Sequence, residues 1–417
     1  MSRHPFHLPP EAWRTLATDH WERQAGVFDV PLPAPLVDEA ELLEVARRVF
    51  AEDASMPVVV VDGRVINMFD PVRASLGPTP GDQTVDAYVR GTLARLGAET
   101  ISYYVPNGQR HAPALWARCR ALVAELLAQV GQPANKVDVD FFWGLYPATP
   151  SGIHKDSASL KYVIQGTKRM LVWPYATFEH LPEVRAKQPR YLTNHFLEDR
   201  APLAAHRASA TVLDARAGQL MYWPSDHWHI GEGQGQVVAT MTIALYLADD
   251  PLKVFERAMM GFFPRERGDF TCLTVHPPPT PLGQGPAPER RAAAARLLSR
   301  FERALGDELR AVEREHVRRA SGGGFDVVPP LREEVALEGC VLEGDAEFPL
   351  LVDEGPDDVA ICVNGHVLLR GPLDDAARAL LVALRAGTPV AFDALDEAGR
   401  AIVRHAYRAR GAERVEG

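Results

Sequence analysis

The sequence predicts a mainly β core, an antiparallel barrel or jelly roll, with helices before and after it. Short segments rich in β-branched and aromatic residues dominate 136–247, and Gly, Pro, Ser or Asp residues separate them. Apolar residues at helical spacing occupy much of the chain on either side of this region. With 417 residues, of which 46% are hydrophobic and 24% charged, the chain is long enough for about two or three folded domains.

The part of the chain before the core predicts helices around one extended segment. Apolar side chains recur three and four residues apart, a spacing that places them on one face of a helix. One β-branched run interrupts this pattern and predicts a strand or hairpin. The predicted helices cover 11–24, 39–52, 85–96 and 112–130, and the strand or hairpin covers 56–65.

The region from 136 to 247 predicts the strands of the core. Many short strands with turn residues between them are typical of antiparallel barrels and jelly rolls. The predicted strands cover 137–145, 160–165, 169–173, 219–223 and 237–247.

A Pro- and Gly-rich stretch at 274–288 follows the core and predicts a linker or a rigid surface crossing. A long amphipathic helix is predicted next, at 289–320, and three consecutive glycines end it. A single chain would leave much of its apolar stripe uncovered, so we expect a homodimer through this helix. The stripe contains Ala293, Leu297, Phe301, Leu305, Leu309 and Val312.

The last part of the chain, 325–417, predicts a small α+β unit. Its predicted elements are a hairpin at 360–370 and helices at 374–386 and 397–410. Acidic runs lie at 353–358 and 374–375, and the only strongly basic stretch is 404–414.

Charge and composition exclude several classes of protein. The chain has 45 Lys and Arg against 55 Asp and Glu, a net charge of −10, whereas nucleic-acid and anionic-membrane binding need a basic face. No apolar run of about 18 residues is present, so we expect no membrane-spanning helix. The four cysteines are far apart, and the first ten residues lack the apolar stretch of a signal peptide. We therefore expect a reduced, cytoplasmic protein.

A His-x-Asp pair, His154 and Asp156, is the first candidate for metal chemistry. Residues two apart in an extended chain point to the same side, so this imidazole and carboxylate can share one ion. His227 or His229, on an antiparallel neighbour, could supply a third ligand. Two histidines and one carboxylate leave positions open, as in non-haem Fe(II) oxygenases. A hydrogen-bonded loop is the alternative interpretation of the pair.

The surroundings of the pair resemble the JmjC and cupin-like 2-oxoglutarate oxygenases, especially asparaginyl hydroxylases and ribosomal oxygenases. In those families an apolar strand and a Gly-x-Lys/Arg motif follow the pair, as Gly-Thr-Lys168 does here. A Gly-Asp-x-Leu-Tyr-Ile-Pro motif then ends five residues before the distal histidine. Here the run at 218–224 ends five residues before His229, with Gln219 in place of the Asp. The His-Trp-Glu-Arg-Gln run at 20–24 resembles the N-terminal helix of the family.

The resemblance implies a JmjC-type double-stranded β-helix and assigns the metal ligands. His154, Asp156 and His229 would bind Fe(II), because the family spacing favours His229 over His227. O2 and 2-oxoglutarate would be the cosubstrates. The enzyme would hydroxylate a side chain of a ribosomal protein or of a ribosomally made precursor peptide, with CO2 and succinate as co-products.

The resemblance also implies an oxoacid pocket. Lys168 would pair with the distal carboxylate of 2-oxoglutarate, although it follows the metal histidine one residue sooner than in the family. Lys161 is the alternative cation. Ser151 corresponds to a threonine that contacts the oxoacid, or it caps a turn. Tyr146 and Tyr162 are candidates for hydrogen bonds to the oxoacid.

The resemblance extends to the organisation of the chain, because ribosomal oxygenases carry a helical dimerisation segment and a C-terminal winged-helix unit in this order. We expect a catalytic domain at 1–275, the crossing and dimerisation segment at 276–322 and a winged-helix-like domain at 323–417. The acidic runs of the last domain favour a protein-interaction role over DNA binding; a structural cap on the dimer is the alternative.

Two other functional classes stay open. A cupin-type metalloenzyme that acts on a small molecule without 2-oxoglutarate would need the metal ligands but no oxoacid lysine. A non-enzymatic regulator would combine a degenerate barrel with a winged helix. An intact set of two imidazoles and one carboxylate argues against the regulator.

Overall fold

The computed structural model describes residues 6, 10–30, 32–52, 57–67, 69–181, 184–186, 195–197, 203–248, 252–267 and 288–415. They form two compact units, the first within Met1–Ala248 and Arg318–Gly417, the second within Asp249–Val317. Apart from its last residue, the predicted crossing at 274–288 lies outside the described residues. The division into three domains stays a prediction.

Two antiparallel sheets form the centre of the first unit. In spatial order, the larger sheet contains β1 (Gly26–Asp29), β12 (Gln219–Trp223), β7 (Ala158–Gln165), β14 (Val238–Tyr246), β5 (Lys136–Leu145), β4 (Ile101–Val105), β2 (Val58–Val61) and β3 (Arg64–Ile66). The smaller sheet contains β11 (Thr211–Arg216), β8 (Thr167–Trp173), β13 (Trp228–Glu232), β6 (His154–Lys155), β10 (His195–Leu197) and β9 (Val184–Ala186).

The eight strands at the centre of these sheets form a jelly roll, that is, a double-stranded β-helix. The chain passes back and forth between the sheets, so that β5, β7, β12 and β14 lie in one and β6, β8, β11 and β13 in the other. Neighbouring strands pair antiparallel throughout. The predicted antiparallel β core with flanking helices is therefore confirmed.

Helices cover the outer face of the larger sheet. They are α1 (Pro10–Thr15), α2 (Glu39–Ala51), α3 (Val85–Leu96) and α4 (Pro113–Val130), and the short α5 (Leu203–His206) lies before β11. The side chain of Asp38 caps α2 by accepting a hydrogen bond from the backbone N–H of Glu41 at 2.8 Å. Thr84 caps α3 in the same way, which fixes where both helices begin.

The predicted helix at 11–24 is shorter than expected. After α1 the chain makes one π-helical turn over Leu16–His20 and then leaves the helix. Glu22 has a left-handed φ of 52°, its N–H donates to the hydroxyl of Tyr222, and its carboxylate accepts from the N–H of Ser225. These contacts with β12 and the loop after it replace further helical hydrogen bonds.

The larger sheet divides apolar from polar side chains. Val137, Val139 and Phe141 of β5 pack into the apolar core with the helices. Because successive side chains of a strand alternate, Asp140 and Phe142 point the other way, into the space between the sheets. The interior of the jelly roll is therefore free to carry a polar site.

The second unit contains α6 (Leu252–Arg267) and most of α7 (Pro288–Ser321). Among the described residues, no helix is both long and apolar enough to cross a membrane.

The C-terminal part of the first unit has its own apolar cluster. Two three-stranded sheets, β19-β15-β20 and β16-β17-β18, lie with two helices. The elements are β15 (Val341–Gly344), β16 (Leu351–Glu354), β17 (Val359–Val363), β18 (His366–Arg370), α8 (Asp375–Arg385), β19 (Val390–Ala391), α9 (Glu397–Arg408) and β20 (Ala412–Arg414).

Candidate active site

The jelly roll brings His154, Asp156 and His229 together between the sheets. His154 lies on β6 and His229 on β13, and the two residues are direct partners across this antiparallel pair. The Nε2 atom of His154 lies 3.9 Å from one carboxylate oxygen of Asp156, and Nε2 of His229 lies 3.8 Å from the other. One donor atom from each of the three residues lies within 4.8 Å of the others.

Backbone carbonyls orient both imidazoles. Nδ1 of His154 lies 2.9 Å from the carbonyl oxygen of Gly152, and Nδ1 of His229 lies 3.3 Å from that of His227. A protonated Nδ1 donates to each carbonyl, which leaves the Nε2 lone pair facing Asp156. Burial, followed by the charge of His154, lowers the pKa of His229 to about 3, so this imidazole is neutral near pH 7 and available as a ligand.

The three residues fit a divalent transition-metal ion. Bonds from such an ion to nitrogen or carboxylate oxygen are about 2.0–2.2 Å long, so one ion can reach donors separated by the observed distances. Two imidazoles and one carboxylate form the donor set of non-haem iron sites and leave other coordination positions open. The set therefore suits a metal that must also bind small molecules.

His227 does not join this cluster. The chain turns at 224–227, where the N–H of His227 donates to the carbonyl of Pro224, and β13 begins only at the next residue. The imidazole of His227 lies against the carboxylate of Asp226, with Nδ1 at 2.6 Å. Of the two distal candidates, the structure brings His229 to the other ligands.

Lys168 reaches into the same interior from β8. Its side chain is 1% exposed, and its ammonium donates to the hydroxyl of Tyr146 at 3.2 Å. Burial lowers the pKa of Lys168 to about 7. Burial also raises the pKa of Tyr146 well above its ordinary value, so the phenol stays protonated. Lys168 and Tyr146 together offer a cation and a hydroxyl to an anionic ligand.

Gly231 makes room for the Lys168 ammonium. A Cβ atom at Gly231, on β13, would lie 2.4 Å from the Lys168 nitrogen and 3.1 Å from the methyl carbon of Thr149. Two hydrogen bonds tie Thr149 to the backbone of Gly231, one from each N–H. The strand that carries His229 therefore also shapes the space around Lys168.

Lys161 is a second buried lysine in this interior. It lies on β7, in the opposite sheet from Lys168, and is 5% exposed. Its ammonium donates to the hydroxyl of Thr242 and lies 4.3 Å from the ring centroid of Phe142 and 5.8 Å from that of Trp223. Burial, followed by the charge of Lys168, lowers the pKa of Lys161 to about 7.

The other predicted oxoacid-binding residues have different positions. Ser151 is exposed but lines the mouth of the cavity beside His154. Tyr162 does not line it: the residue follows Lys161 on β7, so it points to the opposite face, where it packs into the apolar core. The structure therefore does not bring Tyr162 to the site, whereas Tyr146 lines the cavity.

Some residues of the site were missed in the sequence analysis. Thr149, Thr242 and Asp140 line the cavity with the metal ligands and both lysines. Burial, followed by the charge of Asp138, raises the pKa of Asp140 to about 7, and its carboxylate accepts hydrogen bonds from Asn107 and Tyr104. Polar residues at every second position of β5 and β14 are the signal that identifies Asp140 and Thr242; Thr149 lies in the loop before β6 and has no such signal.

The arrangement can hold a metal ion beside a small anion. The cavity that contains all these groups has a volume of about 60 Å³. A single water needs about 10–15 Å³ by this measure, so there is room for a ligand of several heavy atoms. The fold and the cluster together define a jelly-roll protein with a candidate metal site and two cations beside it.

Comparisons with known proteins bear on the fold. No protein-family model matches the chain, and no curated protein matches it. Among solved structures, YcfD from Escherichia coli matches with a TM-score of 0.52 and 14% identity, covering 97% of this chain and 98% of YcfD. A second structure of YcfD, described as a ribosomal oxygenase in complex with cobalt and succinic acid, matches with a TM-score of 0.50 and 15% identity over the same shares.

At these identities the likeness establishes a shared fold over almost the whole chain. The jelly-roll fold that the motif resemblance implies is therefore the fold that this chain shares with YcfD.

Proposed function

We propose that this protein is an Fe(II)- and 2-oxoglutarate-dependent oxygenase that hydroxylates a side chain of a protein or peptide. One observation carries the proposal: His154, Asp156 and His229 lie together in a cavity that also contains the buried ammonium of Lys168. A metal ligand set with open positions beside a buried ammonium suits a chelating oxoacid with a second carboxylate.

The roles of the residues follow from their positions. His154, Asp156 and His229 would hold the metal on one side and leave the other side open to ligands. When bound, Fe(II) supplies the activation of O2 that is coupled to oxidative decarboxylation of the oxoacid. Lys168, with the hydroxyl of Tyr146, holds the distal carboxylate.

The proposed substrate class rests on the resemblance to ribosomal oxygenases. We propose a ribosomal protein or a ribosomally made precursor peptide as substrate, with CO2 and succinate as co-products. YcfD, which shares the fold, is described as a ribosomal oxygenase. We also propose a cytoplasmic homodimer with a catalytic domain at 1–275, a crossing and dimerisation segment at 276–322 and a winged-helix-like domain at 323–417.

The test is an anaerobic titration of the purified metal-free protein with Fe(II) and then 2-oxoglutarate. We expect a weak visible charge-transfer band that requires both additions. His229→Ala should abolish the band, because it removes a ligand that adds little to the apolar core. His227→Ala is the matched control, since it removes an imidazole two residues away that lies outside the cluster.

The outcomes separate the open functional classes. Loss of the band in His229→Ala and retention in His227→Ala support the oxygenase. Iron binding with no oxoacid-dependent band contradicts it and favours the cupin-type metalloenzyme that acts without 2-oxoglutarate. With the band established, we expect His154→Ala and Asp156→Ala to lose turnover while remaining folded by circular dichroism.

A further inference from the structure

We propose that Lys161 and Thr242 form a second anion-binding point in the oxoacid cavity. Two lysines from opposite sheets then bind one dicarboxylate ligand between them. The inference deepens the proposed function and rests on it, because the ligand it concerns is the oxoacid. The sequence offers Lys161 only as an alternative to Lys168, whereas the structure places both in one cavity.

The ammonium groups of Lys161 and Lys168 are buried without a contacting carboxylate from any described residue. Within the described part of the chain, neither ammonium has a carboxylate oxygen within 4 Å; Lys161 contacts a hydroxyl and two rings, and Lys168 contacts Tyr146. A charge removed from water is costly unless an opposite charge or several hydrogen bonds accompany it. Two such charges facing one cavity indicate that an anionic ligand completes them.

The acidic residues that line the cavity contact other groups than the two ammonium groups. Asp140 lines the cavity, but its carboxylate accepts from the backbone N–H of Asn107 at 3.2 Å and the hydroxyl of Tyr104 at 3.3 Å. Asp156 belongs to the candidate metal cluster. Lys161 and Lys168 therefore face the cavity together with two aspartates, but neither aspartate lies in direct contact with an ammonium, and a carboxylate bound only at Lys168 would leave the Lys161 ammonium without a contacting anion.

Lys161 and Lys168 lie at different places around the cavity. The Trp223 ring lies 5.8 Å from the Lys161 ammonium and 4.7 Å from the ring of His229, so Lys161 is close to the metal ligands. Lys168 approaches from the other sheet, beside Tyr146. A short dicarboxylate that spans the cavity can thus present one carboxylate to Lys168 and the other to Lys161 and the metal side.

The test measures binding of succinate and of butyrate to the full-length metal-free protein by isothermal titration calorimetry. Butyrate has the same chain length and one charge fewer. We expect Lys161→Met to weaken succinate binding about 10- to 100-fold, the effect of losing one charge-assisted interaction in a dry site. Lys168→Met should have a similar effect, and both variants should lose most of the preference for succinate over butyrate.

Two further variants test whether the effect is specific to Lys161 and its hydroxyl partner. Thr242→Val preserves the shape of the side chain and removes the hydroxyl that holds the Lys161 ammonium, so it should weaken succinate binding a few-fold. Lys155→Met is the matched control: it removes a lysine one residue from His154 that does not line the cavity, and should leave the succinate Kd unchanged.

The two hypotheses fail in different ways. If Lys161→Met binds succinate within about twofold of wild type while Lys168→Met loses it, the two-lysine inference is overturned and the oxygenase proposal stands. If wild type shows no preference for succinate and no iron–oxoacid band, both are overturned. A Lys155→Met loss equal to that of Lys161→Met also overturns the inference, because the effect would then not be specific to the cavity.

Discussion

Lys161 and Lys168 are two buried lysines whose pKa values are far below the ordinary value. Both are almost fully buried, and burial lowers the pKa of each to about 7. The ordinary lysine pKa is about 10.4, so the folded protein has a weaker affinity for these protons than the unfolded chain. In the absence of a ligand the two residues therefore destabilise the fold, and this effect depends on pH.

Lys161→Met is expected to stabilise the ligand-free protein, and more at low pH. The cost of the buried ammonium is fully present below its folded pKa of about 7 and disappears as the pH rises toward the unfolded value of 10.5. The stabilisation should therefore be about 2 kcal/mol larger at pH 6 than at pH 8.5. Denaturant unfolding of wild type and variant at both pH values measures it. Equal stabilisation at the two pH values would mean that the buried lysine keeps its proton at both, so that its folded pKa lies above this range.

Gly231→Ala tests whether the space beside Lys168 matters for the oxoacid. The added Cβ would lie 2.4 Å from the lysine nitrogen, so the ammonium must move from its position beside Tyr146. We expect 2-oxoglutarate affinity to fall about tenfold, the scale of a displaced charge-assisted hydrogen bond. Fe(II) affinity, measured in the same titration, serves as the internal control because no metal ligand is touched. Unchanged oxoacid affinity would show that the position of the Lys168 ammonium beside Tyr146 is not needed to hold the ligand.

At the scale of elements, the site depends on which strands are neighbours in a sheet. Strand pairing is the feature that the sequence predicts least well. The periodicity of β5 and β14 predicts these strands almost to the residue. It does not reveal that β6 and β13 are neighbours, which is what brings His154 opposite His229. Family spacing identified His229, whereas the facing of Lys161 and Lys168 depends on which sheet each strand joins.

The position of Tyr162 also depends on tertiary packing that the sequence does not show. Its neighbour Lys161 and Tyr162 both lie on β7, and only the packing of the larger sheet decides which of them faces the helices. Strand β11 was not predicted because its exposed positions include Asp214 and Arg216 and leave only a weak apolar pattern. Local patterns therefore predict the long core strands but not the short β1, β4, β6 and β13, and tertiary contacts decide which face is functional.

The helix α7 carries the prediction of a homodimer. Leu297 and Leu309, two members of its predicted apolar stripe, are 47% and 50% exposed. If a second copy covers them, Leu297→Glu with Leu309→Glu should convert a dimer to a monomer at micromolar concentration, because a charge buried in an apolar interface is costly. Sedimentation velocity gives the answer. Leu369→Glu, at an equally exposed leucine of β18, is the matched control, and a monomeric wild type would remove the idea.

At the scale of the whole molecule, stability and chemistry occupy different faces of one sheet. The apolar side chains of the larger sheet pack outward against α2, α3 and α4. The inner face can then carry lysines, aspartates and threonines without weakening the main core. The C-terminal part of the chain contacts the same sheet: Phe325 forms a β-bridge with Val137 of β5, and the side chain of Gln109 donates to the carbonyl of Val327.

Arg120 of α4 is the main polar link between the helical layer and the C-terminal part. Its guanidinium is buried, donates to the side-chain oxygen of Asn364 at 2.5 Å and to the carbonyl of Ser321 at 2.8 Å, and lies 3.8 Å from the ring centroid of Phe348. Burial lowers the pKa of Arg120 to about 9, so the guanidinium remains charged at neutral pH. The contact between the helical layer and the C-terminal part is therefore sensitive to removal of either Arg120 or the groups that accept its hydrogen bonds.

Arg120→Met should separate the unfolding of the C-terminal part from that of the jelly roll. The substitution keeps an apolar stem but leaves the acceptors of Asn364 and Ser321 unsatisfied, a cost of about 2 kcal/mol. We expect a second, earlier calorimetric transition and faster proteolysis of the C-terminal part, with Fe(II) affinity retained because the metal ligands are elsewhere. Arg378→Met, which breaks an exposed ion pair with Glu354, is the matched control and should change little. A single transition at the wild-type temperature would mean that the apolar contacts alone hold the two parts together.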